Sequence, residues 1–412
     1  MTVIAPSGAR LRVPVALGAC LVSFAVFWAA QRAAHVSMID LMVYRAEGAA
    51  VRAGGDLYAL RATEARLPTT YPPFAALLFT PLTLPQTALL RTLATLGNLL
   101  LLVAFVRLSL GLVGHTRVVG HTRAVGHARV ESVCWIAALA VWCEPVWTTL
   151  RYGQVNLLLA VLVLWDLARH RPGGRNRWAG AGLGLAAAVK LTPALFVVLL
   201  VATGVAARLR GGDGGPWLRH ARGAAVTFAA ATLLAAAVLP YDSWRFWTGM
   251  VFRADRAGHA EDTANQALRG VLARLLHTPE PGACWALLAA VTAVAGLWVA
   301  VTAELRDRRS WAVAACAVTA LLISPVSWSH HWVWCVPVVL LLWAHGRRTV
   351  AAGTLVVFCS YAPWWVPHGD GRPELHQGGA ELTLSALYGG FGLLFLALAG
   401  DRCRARRAVV RP

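Results

Sequence analysis

Charged side chains are scarce in this sequence. Only 14% of its 412 residues are Asp, Glu, Lys or Arg, whereas 58% are hydrophobic. A water-soluble globule of this size needs more polar surface, so the composition excludes a soluble fold and indicates a protein embedded in lipid. Acidic residues are especially few, 19 against 38 basic ones. Lysine is almost absent, with Lys190 the single example in the chain.

Other common features are missing as well. No two of the eight cysteines have CxxC spacing, so we expect no zinc site and no metal. No cofactor motif is present, and we expect no cofactor. No soluble domain or long linker interrupts the chain, which predicts one membrane domain over residues 1–412. No small-residue cleavage site precedes Gln31 and Arg32, so the first apolar segment is expected to remain as a span and not to be a cleaved signal peptide.

What the sequence does contain is a series of apolar segments long enough to cross a hydrocarbon core, which takes about 20 helical residues. They predict an all-α polytopic membrane protein with about twelve transmembrane helices. The predicted spans are 14–30, 87–110, 132–150, 154–168, 178–189, 191–206, 222–240, 282–303, 310–324, 332–345, 350–366 and 380–400. The two short spans within 178–206 could instead be one long helix, which would move every later loop to the other side.

The distribution of arginine favours twelve crossings. With this count, the loops on one side carry 23 arginines against 6 acids, and the other side carries 13 of each. Cytoplasmic loops are enriched in Arg and Lys, so the arginine-rich side is assigned to the cytoplasm. This asymmetry explains the net charge of +19, and we expect no nucleic-acid partner.

Three non-spanning segments stand out. In residues 39–54, Asp40, Tyr44 and Glu47 share one face of a helix with apolar residues opposite, which predicts an amphipathic helix along the outer membrane surface. The TTYPPF motif after it forces an extended backbone. A basic hexad repeat over residues 114–131 is interpreted as a solvated cytoplasmic loop.

Most of the unusual polar residues are predicted at the outer ends of spans or in outer loops. Ionisable groups at membrane depth are costly and are therefore candidates for function. The candidates are Asp40, Tyr44, Glu47, Tyr71, Arg151, Gln154, Asn156, Lys190, Asn265, Gln266, Ser327, His330 and His331.

The cations in this set are suited to a phosphate. Lys190 lies at the turn between two short helices, where a compact ammonium could bind phosphate or simply extend to the interface. Arg151 could bind phosphate or anchor the chain at the interface. The adjacent His330 and His331 could bind phosphate, stabilise a leaving group or ligate a metal, and the metal is disfavoured because no carboxylate or cysteine accompanies them at ligand spacing. Their tryptophan neighbours are also explained by an interfacial aromatic belt.

Asp40 is the candidate general base. It follows the first span directly, and a carboxylate near the membrane surface could take a proton from a hydroxyl group as that oxygen attacks. The alternative is a structural one, in which an acid in the first turn complements the helix dipole.

Six motifs, taken in order, resemble glycosyltransferase family 87. They are IDLMVYRAEGAAVRAGGDLYAL, TTYPPFAALLFTPL, RYGQVNLLLAVLVLWDL, AGLGLAAAVKLTPALF, NQALRG and ISPVSWSHHWVW. The resemblance covers about Ile39 to Pro337, while the two ends of the chain match only in hydropathy and the hexad repeat is not a family feature.

The resemblance implies a GT-C-type glycosyltransferase fold in the cell membrane, with the active site on the extracytoplasmic side. It implies transfer of mannose from a polyprenyl-phosphate donor to a lipid or glycan acceptor, with inversion and an α-(1→2) linkage. By the same resemblance Asp40 is the catalytic aspartate and His330 and His331 are the family's paired histidines. Lys190, the two histidines and Arg151 are then expected to bind the donor phosphate, and the following to bind substrate: Tyr44, Glu47, Tyr71, Gln154, Asn156, Asn265 and Gln266.

Two alternatives stay open. The same family contains arabinofuranosyltransferases that use a polyprenyl-phosphate sugar. A lipid flippase or transporter is the alternative from another class, and it predicts internal repeats and helices broken near the midplane.

Overall fold

The computed structural model describes residues 8–114, 124–169 and 176–404. Half of the hexad repeat, residues 115–123, lies outside the described residues. Apart from one small hairpin, the regular secondary structure of the described chain is helical. Its helices are α1 (Gly8–Ala33), α2 (Ile39–Ala53), α3 (Pro73–Phe79), α4 (Thr87–Gly114), α5 (Ala124–Ala140), α6 (Glu144–Tyr152), α7 (Asn156–Arg169), α8 (Ala181–Val189), α9 (Ala194–Leu209), α10 (Gly215–Val238), α11 (Pro240–Thr248), α12 (Leu268–Leu275), α13 (Gly282–Leu305), α14 (Arg309–Ile323), α15 (Cys335–Ala344), α16 (Arg348–Cys359), α17 (Gly379–Ser385) and α18 (Leu387–Arg404).

Short 3₁₀ turns and one two-stranded sheet complete the described chain. The 3₁₀ turns cover Thr80–Thr83, Met250–Phe252, Ala254–Ala257, Ser329–Trp334, Ala362–Trp365 and Pro373–His376. The strands β1 (Arg61–Ala62) and β2 (Leu67–Pro68) pair antiparallel. The sheet lies in the segment between α2 and α3.

The helices confirm an all-α polytopic membrane fold. Among the described residues, four helices are long and apolar enough to cross a membrane, namely α1, α4, α10 and α13, and two bent helix pairs raise this number to six. Six shorter apolar helices of 10 to 17 residues accompany them. Each predicted span overlaps at least one helix, and the count of twelve crossings stays a prediction.

The predicted span 132–150 is not one straight helix. Helix α5 ends at Ala140, and α6 leaves it at an angle of 78°. Pro145 lies in the first turn of α6, where its missing N–H costs nothing and its fixed φ starts a new helix. The predicted span 380–400 is also bent, by 65°, between α17 and α18.

Helices α8 and α9 form a hairpin. A Cβ on Gly184 of α8 would lie 2.5 Å from the carbonyl oxygen of Ala224, whereas Gly204 of α9 meets α10 near Leu218. Gly180, just before α8, contacts residues 220–224 of α10, and Gly184 contacts residues 224–228. Helix α8 therefore runs in the same direction as α10, whereas Gly204 near the end of α9 lies beside the start of α10, at Gly214 and Leu218. The segment 178–206 is thus two helices, with its turn at Lys190.

The bundle separates a lipid-facing layer from a protein core. Helix α14 is buried along nearly its whole length, from Ser310 to Leu322. Large apolar side chains remain exposed on α1, α10 and α13, for example Val22, Leu233 and Val294. Such a surface is stable only against hydrocarbon, because lipid and not water solvates it.

At the arginine-rich end of the bundle, a buried carboxylate joins three helices. Asp166 of α7 accepts hydrogen bonds from the backbone N–H of Gly180 at 3.0 Å and of Leu183 at 2.9 Å. It thereby satisfies N–H groups in the first turn of α8, which has no other side-chain cap. The Nε2 of His220 on α10 lies 3.0 Å from the same carboxylate. This contact fixes the end of α8 that is opposite Lys190.

Candidate active site

Helix α2 positions the predicted base. The helix starts after Met38, whose backbone is left-handed with φ of 53°, so the chain turns sharply between α1 and α2. Asp40 lies in the first turn, and Tyr44 and Glu47 follow on the same face. The face predicted from periodicity is therefore present, and it points into the protein because Tyr44 and Glu47 are fully buried.

A cavity of about 270 Å³ opens beside this face. Its walls come from α2, the TTYPPF segment, the start of α7, the α8–α9 turn, residues 246–257 and residues 324–331. Six of the residues singled out in the sequence line it together: Asp40, Tyr44, Tyr71, Gln154, Lys190 and His331. The structure thus brings into one cavity residues that are up to about 290 positions apart in the chain.

A hydrogen-bonded cluster of two tyrosines and a glutamine forms one wall. The Tyr44 hydroxyl lies 2.8 Å from that of Tyr71 and donates to Gln154 Oε1 at 2.7 Å. Tyr58 donates to the Tyr71 carbonyl at 3.0 Å. Pro72 and Pro73 hold Tyr71 in the extended segment before α3. The Tyr71 hydroxyl also lies 3.2 Å from Gln154 Oε1, so this one amide oxygen accepts from either tyrosine.

Lys190 is held at the opposite wall. Its Nζ lies 2.9 Å from Nε2 of His331 and donates to Asn156 Oδ1 at 3.3 Å. The Nδ2 of Asn156 donates in turn to the carbonyl of His330 at 3.0 Å. An ammonium has three N–H donors, so two of them orient the group and the third is available to a ligand in the cavity. The ammonium also lies 5.5 Å from the centre of the Tyr71 ring.

The environment of Asp40 suits a general base. Burial raises the pKa of Asp40 to about 6, and the neighbouring Gln154 amide and the positive charge of Lys190 oppose this rise. At neutral pH the group is therefore an ionised carboxylate that is more basic than an exposed one. A base of this strength accepts a proton more readily from a weakly acidic hydroxyl group.

Comparison with known proteins identifies the family. Residues 70–325 match the sequence model of glycosyltransferase family 87. The chain belongs to glycosyltransferase family 87. The predicted membership is confirmed, and with it the prediction of a membrane glycosyltransferase.

Several characterised relatives of this family 87 glycosyltransferase come from mycobacteria. A polyprenol-phosphate-mannose-dependent alpha-(1-2)-phosphatidylinositol mannoside mannosyltransferase of Mycobacterium tuberculosis is 34% identical over 73% of this chain and 68% of its own length. A polyprenol-phosphate-mannose-dependent alpha-(1-2)-phosphatidylinositol pentamannoside mannosyltransferase of the same species is 32% identical over 93% of this chain and 85% of its own. A mannosyltransferase of Mycolicibacterium smegmatis with the same name as the first is 33% identical over 80% and 75%. No solved structure matches the chain significantly.

Glu47 of the glycosyltransferase lies behind the cavity and not in its wall. It is fully buried, and neither carboxylate oxygen has a hydrogen-bond partner in the described part of the chain. Burial raises the pKa of Glu47 to about 8, the adjacent Thr69 side chain opposes the rise, and the negative charge of Asp40 adds to it. Glu47 is therefore mostly protonated and neutral at neutral pH. Of the two acidic residues on this face of α2, Asp40 is the one that is ionised.

Glu47 is one of six predicted site residues that do not line the main cavity, and Asn156 is another, because it lines a smaller neighbouring cavity beside Lys190. The remaining four lie elsewhere. His330 is buried between the ring of Tyr152 and that of His331, with ring centres 5.5 and 4.8 Å away, and its Nε2 has no hydrogen-bond partner among the described residues. Arg151 is exposed at the end of α6. The other two, Asn265 and Gln266, are fully buried and hydrogen-bond to backbone groups of residues 260–267, 325–327 and 385–388.

Glu144 was missed by the sequence analysis, although it organises the segment that carries the histidines. Its carboxylate accepts hydrogen bonds from Thr148 at 2.8 Å, Ser329 at 2.8 Å, Trp364 at 3.1 Å and Tyr388 at 3.0 Å. The only signal in the sequence was a single acidic residue between Cys143 and Pro145, within an apolar stretch. Glu144 is fully buried and its carboxylate accepts four hydrogen bonds. This indicates a structural role, in which it supports the segment that carries the histidines.

Within the described residues, no group of three His, Cys, Asp or Glu side chains is arranged to hold a metal ion. The expectation that the enzyme needs neither metal nor cofactor stays a prediction. The ionisable groups that line the cavity are the carboxylate of Asp40, the ammonium of Lys190, the imidazole of His331, the guanidinium groups of Arg253 and Arg256, and tyrosine hydroxyls. The two arginines were not singled out in the sequence.

Proposed function

We propose that this protein transfers mannose from polyprenyl-phosphate mannose to a lipid-linked or cell-envelope glycan, with inversion, forming an α-(1→2) linkage. The observation that carries the proposal is the presence of Asp40, Lys190 and His331 in the walls of one cavity. A base and a phosphate-binding cation are the two groups that such a transfer requires. The mannosyltransferase relatives support the choice of sugar, donor and linkage.

The reaction proceeds by direct displacement. Asp40 takes the proton from the acceptor hydroxyl while that oxygen bonds to the anomeric carbon, and the bond from this carbon to the phosphate oxygen breaks. The phosphate leaves with the bonding electrons. One carboxylate is sufficient, because a phosphate that is already ionised needs little protonation to leave. Catalysis then comes from positioning and from stabilisation of charge on the phosphate.

Lys190 provides the positive charge at the leaving phosphate. His331 and Asn156 orient its ammonium through the contacts at 2.9 and 3.3 Å. Tyr44, Tyr71 and Gln154 form the wall between Lys190 and α2 and position the sugar. His330, Asn265 and Gln266 act through the loops that they hold, and Arg151 acts at the outer surface.

The prenyl chain of the donor occupies an apolar cleft that continues from the main cavity. A second cavity of about 60 Å³ shares Lys190 and His331 with the first and runs between α7, α9 and α14. Away from Lys190 and His331 most of its walls are apolar, with Val163, Phe196 and Leu321 among them, and Ser327 is also in the lining. A phosphate at Lys190 would place the attached lipid at the mouth of this cleft.

The active site faces the extracytoplasmic side. The cavity lies at the ends of α7, α8 and α14 that are opposite the arginine-rich loops, since α7 runs from Asn156 at the cavity to Arg169 and α14 runs from Arg309 to Ile323. The arginine-rich side is cytoplasmic by the positive-inside rule. A membrane-anchored donor and a growing envelope glycan would meet on the opposite side.

An assay with defined donors tests this proposal. The purified protein is given radiolabelled polyprenyl-phosphate mannose or polyprenyl-phosphate arabinose, together with a panel of lipid and glycan acceptors. We expect mannose transfer that is lost in Asp40→Asn. Transfer of arabinose alone would contradict the proposed donor, and movement of labelled lipid across a vesicle membrane without any transfer would support the transporter alternative.

A further inference from the structure

A polar cavity of about 360 Å³ lies at the ends of α1 and α4, apart from the active site. Its walls include Gln31 and Arg32 from the last turn of α1 and Arg91 from the first turns of α4. His35 in the α1–α2 turn and Trp28 at the rim complete this surface. Met38, two residues before Asp40, lines it as well, so the cavity borders the turn that positions the proposed base.

The cavity is positively charged. Arg32 and Arg91 both line it, no acidic residue does, and neither arginine takes part in an ion pair within the described residues. The helix dipoles do not supply this charge, because α1 ends here and α4 begins here, and the two opposite helix ends offset each other. The two guanidinium groups therefore make this a site for an anion.

Two buried polar atoms in the walls lack partners among the described residues. They are the acceptor Oε1 of Gln31, a side chain that is 7% exposed, and the donor Nε of Arg91. An arginine that only extends to the membrane surface keeps its guanidinium in water and leaves no buried donor behind. An unpaired donor and an unpaired acceptor on two residues that line the same cavity instead indicate a ligand that offers both functions.

We propose that this cavity binds the headgroup of an anionic glycerophospholipid. The phosphodiester accepts hydrogen bonds from Arg32 and Arg91, and a headgroup hydroxyl donates to Gln31 Oε1. The location supports a lipid, since the last turn of one apolar span and the first turn of another meet at the level of the phosphate groups of a bilayer. Leu89 and Leu93 are exposed on α4 at this end and provide an apolar surface for acyl chains.

Retention of lipids by the purified full-length protein tests the site directly. Native mass spectrometry measures binding of phosphatidylglycerol and phosphatidylcholine with matched acyl chains to the wild type, to R32Q/R91Q and to the control R66Q, which removes an exposed arginine elsewhere. We expect the wild type and R66Q to prefer phosphatidylglycerol by at least about tenfold, since the choline of phosphatidylcholine adds a cation that the two guanidinium groups repel and has no hydroxyl to donate to Gln31. R32Q/R91Q should lose the preference.

Equal retention of the two lipids by the wild type would overturn the proposal, and this comparison needs no variant. Unchanged preference in R32Q/R91Q would also overturn it. Free glycerol 3-phosphate should not displace the lipid at millimolar concentration. If it does, the site binds a soluble phosphate compound and not a membrane lipid.

The hydroxyl contact has its own test. Phosphatidylmethanol keeps the phosphodiester but carries no headgroup hydroxyl, so the wild type should bind it several-fold more weakly than phosphatidylglycerol. In Q31L this difference should disappear, while binding of phosphatidylmethanol is retained. Equal binding of the two lipids by the wild type would remove Gln31 from the proposed site. None of these measurements depends on the transferase reaction, so they can fail while the proposed function stands.

Discussion

The Nζ of Lys190 and the Nε2 of His331 lie 2.9 Å apart, although 141 residues separate them in the chain. Because an ammonium can only donate, Nε2 of His331 accepts and its imidazole is the neutral tautomer with the proton on Nδ1. The second partner, Asn156, fixes the ammonium from another direction at 3.3 Å. The one lysine of the chain is thus oriented before any phosphate binds.

Removal of this ammonium is expected to weaken donor binding. Lys190→Ala should lower the affinity for polyprenyl-phosphate mannose by about 10- to 100-fold, the contribution of a charge-assisted hydrogen bond. Lys190→Arg should keep part of the affinity, because the charge survives but the compact geometry does not. Titration of a fluorescent donor measures both. Arg66→Ala, which removes an exposed arginine, is the control. If Lys190→Ala binds the donor with wild-type affinity, Lys190 does not bind the phosphate.

Loss of the proposed base should affect turnover and little else. Asp40→Asn keeps the size of the side chain but removes the basic oxygen, so kcat should fall by at least about 10²- to 10⁴-fold. Donor affinity should be retained, because the proposed partner of Asp40 is the acceptor. Initial rates with labelled donor, beside a binding titration, check both statements. The exposed Glu64→Gln serves as the control, and near wild-type turnover in Asp40→Asn would show that Asp40 is not the base.

The activity should depend on pH through the same group. Burial raises the pKa of Asp40 to about 6, and the ionised carboxylate is the active form. Activity is therefore full above this pH and falls as pH drops through it, by about tenfold per pH unit well below the pKa. The profile of kcat/KM from pH 4.5 to 8 measures this. A profile that stays flat down to pH 4.5 would show that Asp40 titrates as an ordinary exposed acid or is not the base.

Replacement of Glu144 should destabilise the protein. Glu144→Ala leaves four buried donors without an acceptor, from Thr148, Ser329, Trp364 and Tyr388. We expect a loss of about 3 kcal/mol or more, since each unpaired buried group costs about 1 to 3 kcal/mol. Thermal unfolding in detergent measures the change. Glu144→Gln keeps one oxygen acceptor and should lower Tm less, and equal Tm values for both variants would contradict the hydrogen-bonding account.

The side assigned to the cavity can be tested by labelling. Single cysteines are placed at the exposed positions Glu64, Asp370, Gly212 and Arg347 in a background without native cysteines. A membrane-impermeant thiol reagent added to intact cells should modify the first two and not the last two, because the latter lie at the arginine-rich ends of the bundle. Modification of Gly212→Cys from outside would reverse the orientation of the α8–α9 hairpin and of the later helices.

Local patterns in the sequence were sufficient to predict that the protein is a membrane protein and which residues share one face of α2. Asp40, Tyr44 and Glu47 recur with helical spacing, so their shared face follows from the geometry of one helix alone. Each span predicted from an apolar segment likewise coincides with at least one helix. The reason is that an apolar segment in lipid must satisfy its own backbone hydrogen bonds, and a helix does so. The breaks within 132–150 and 380–400 were not predicted, because hydropathy is the same on both sides of a bend.

The tertiary structure decided which of the candidate residues meet. His330 and His331 are adjacent in the chain, yet only His331 reaches Lys190 and the main cavity, since successive residues of a helical turn point in different directions. Glu144 finds partners 185 to 244 residues away in the chain, and no local pattern encodes such contacts. Composition and periodicity determine what a segment is and which face it buries. Which side chains come within hydrogen-bonding distance is set by the packing of separate helices, and that depends on the whole chain at once.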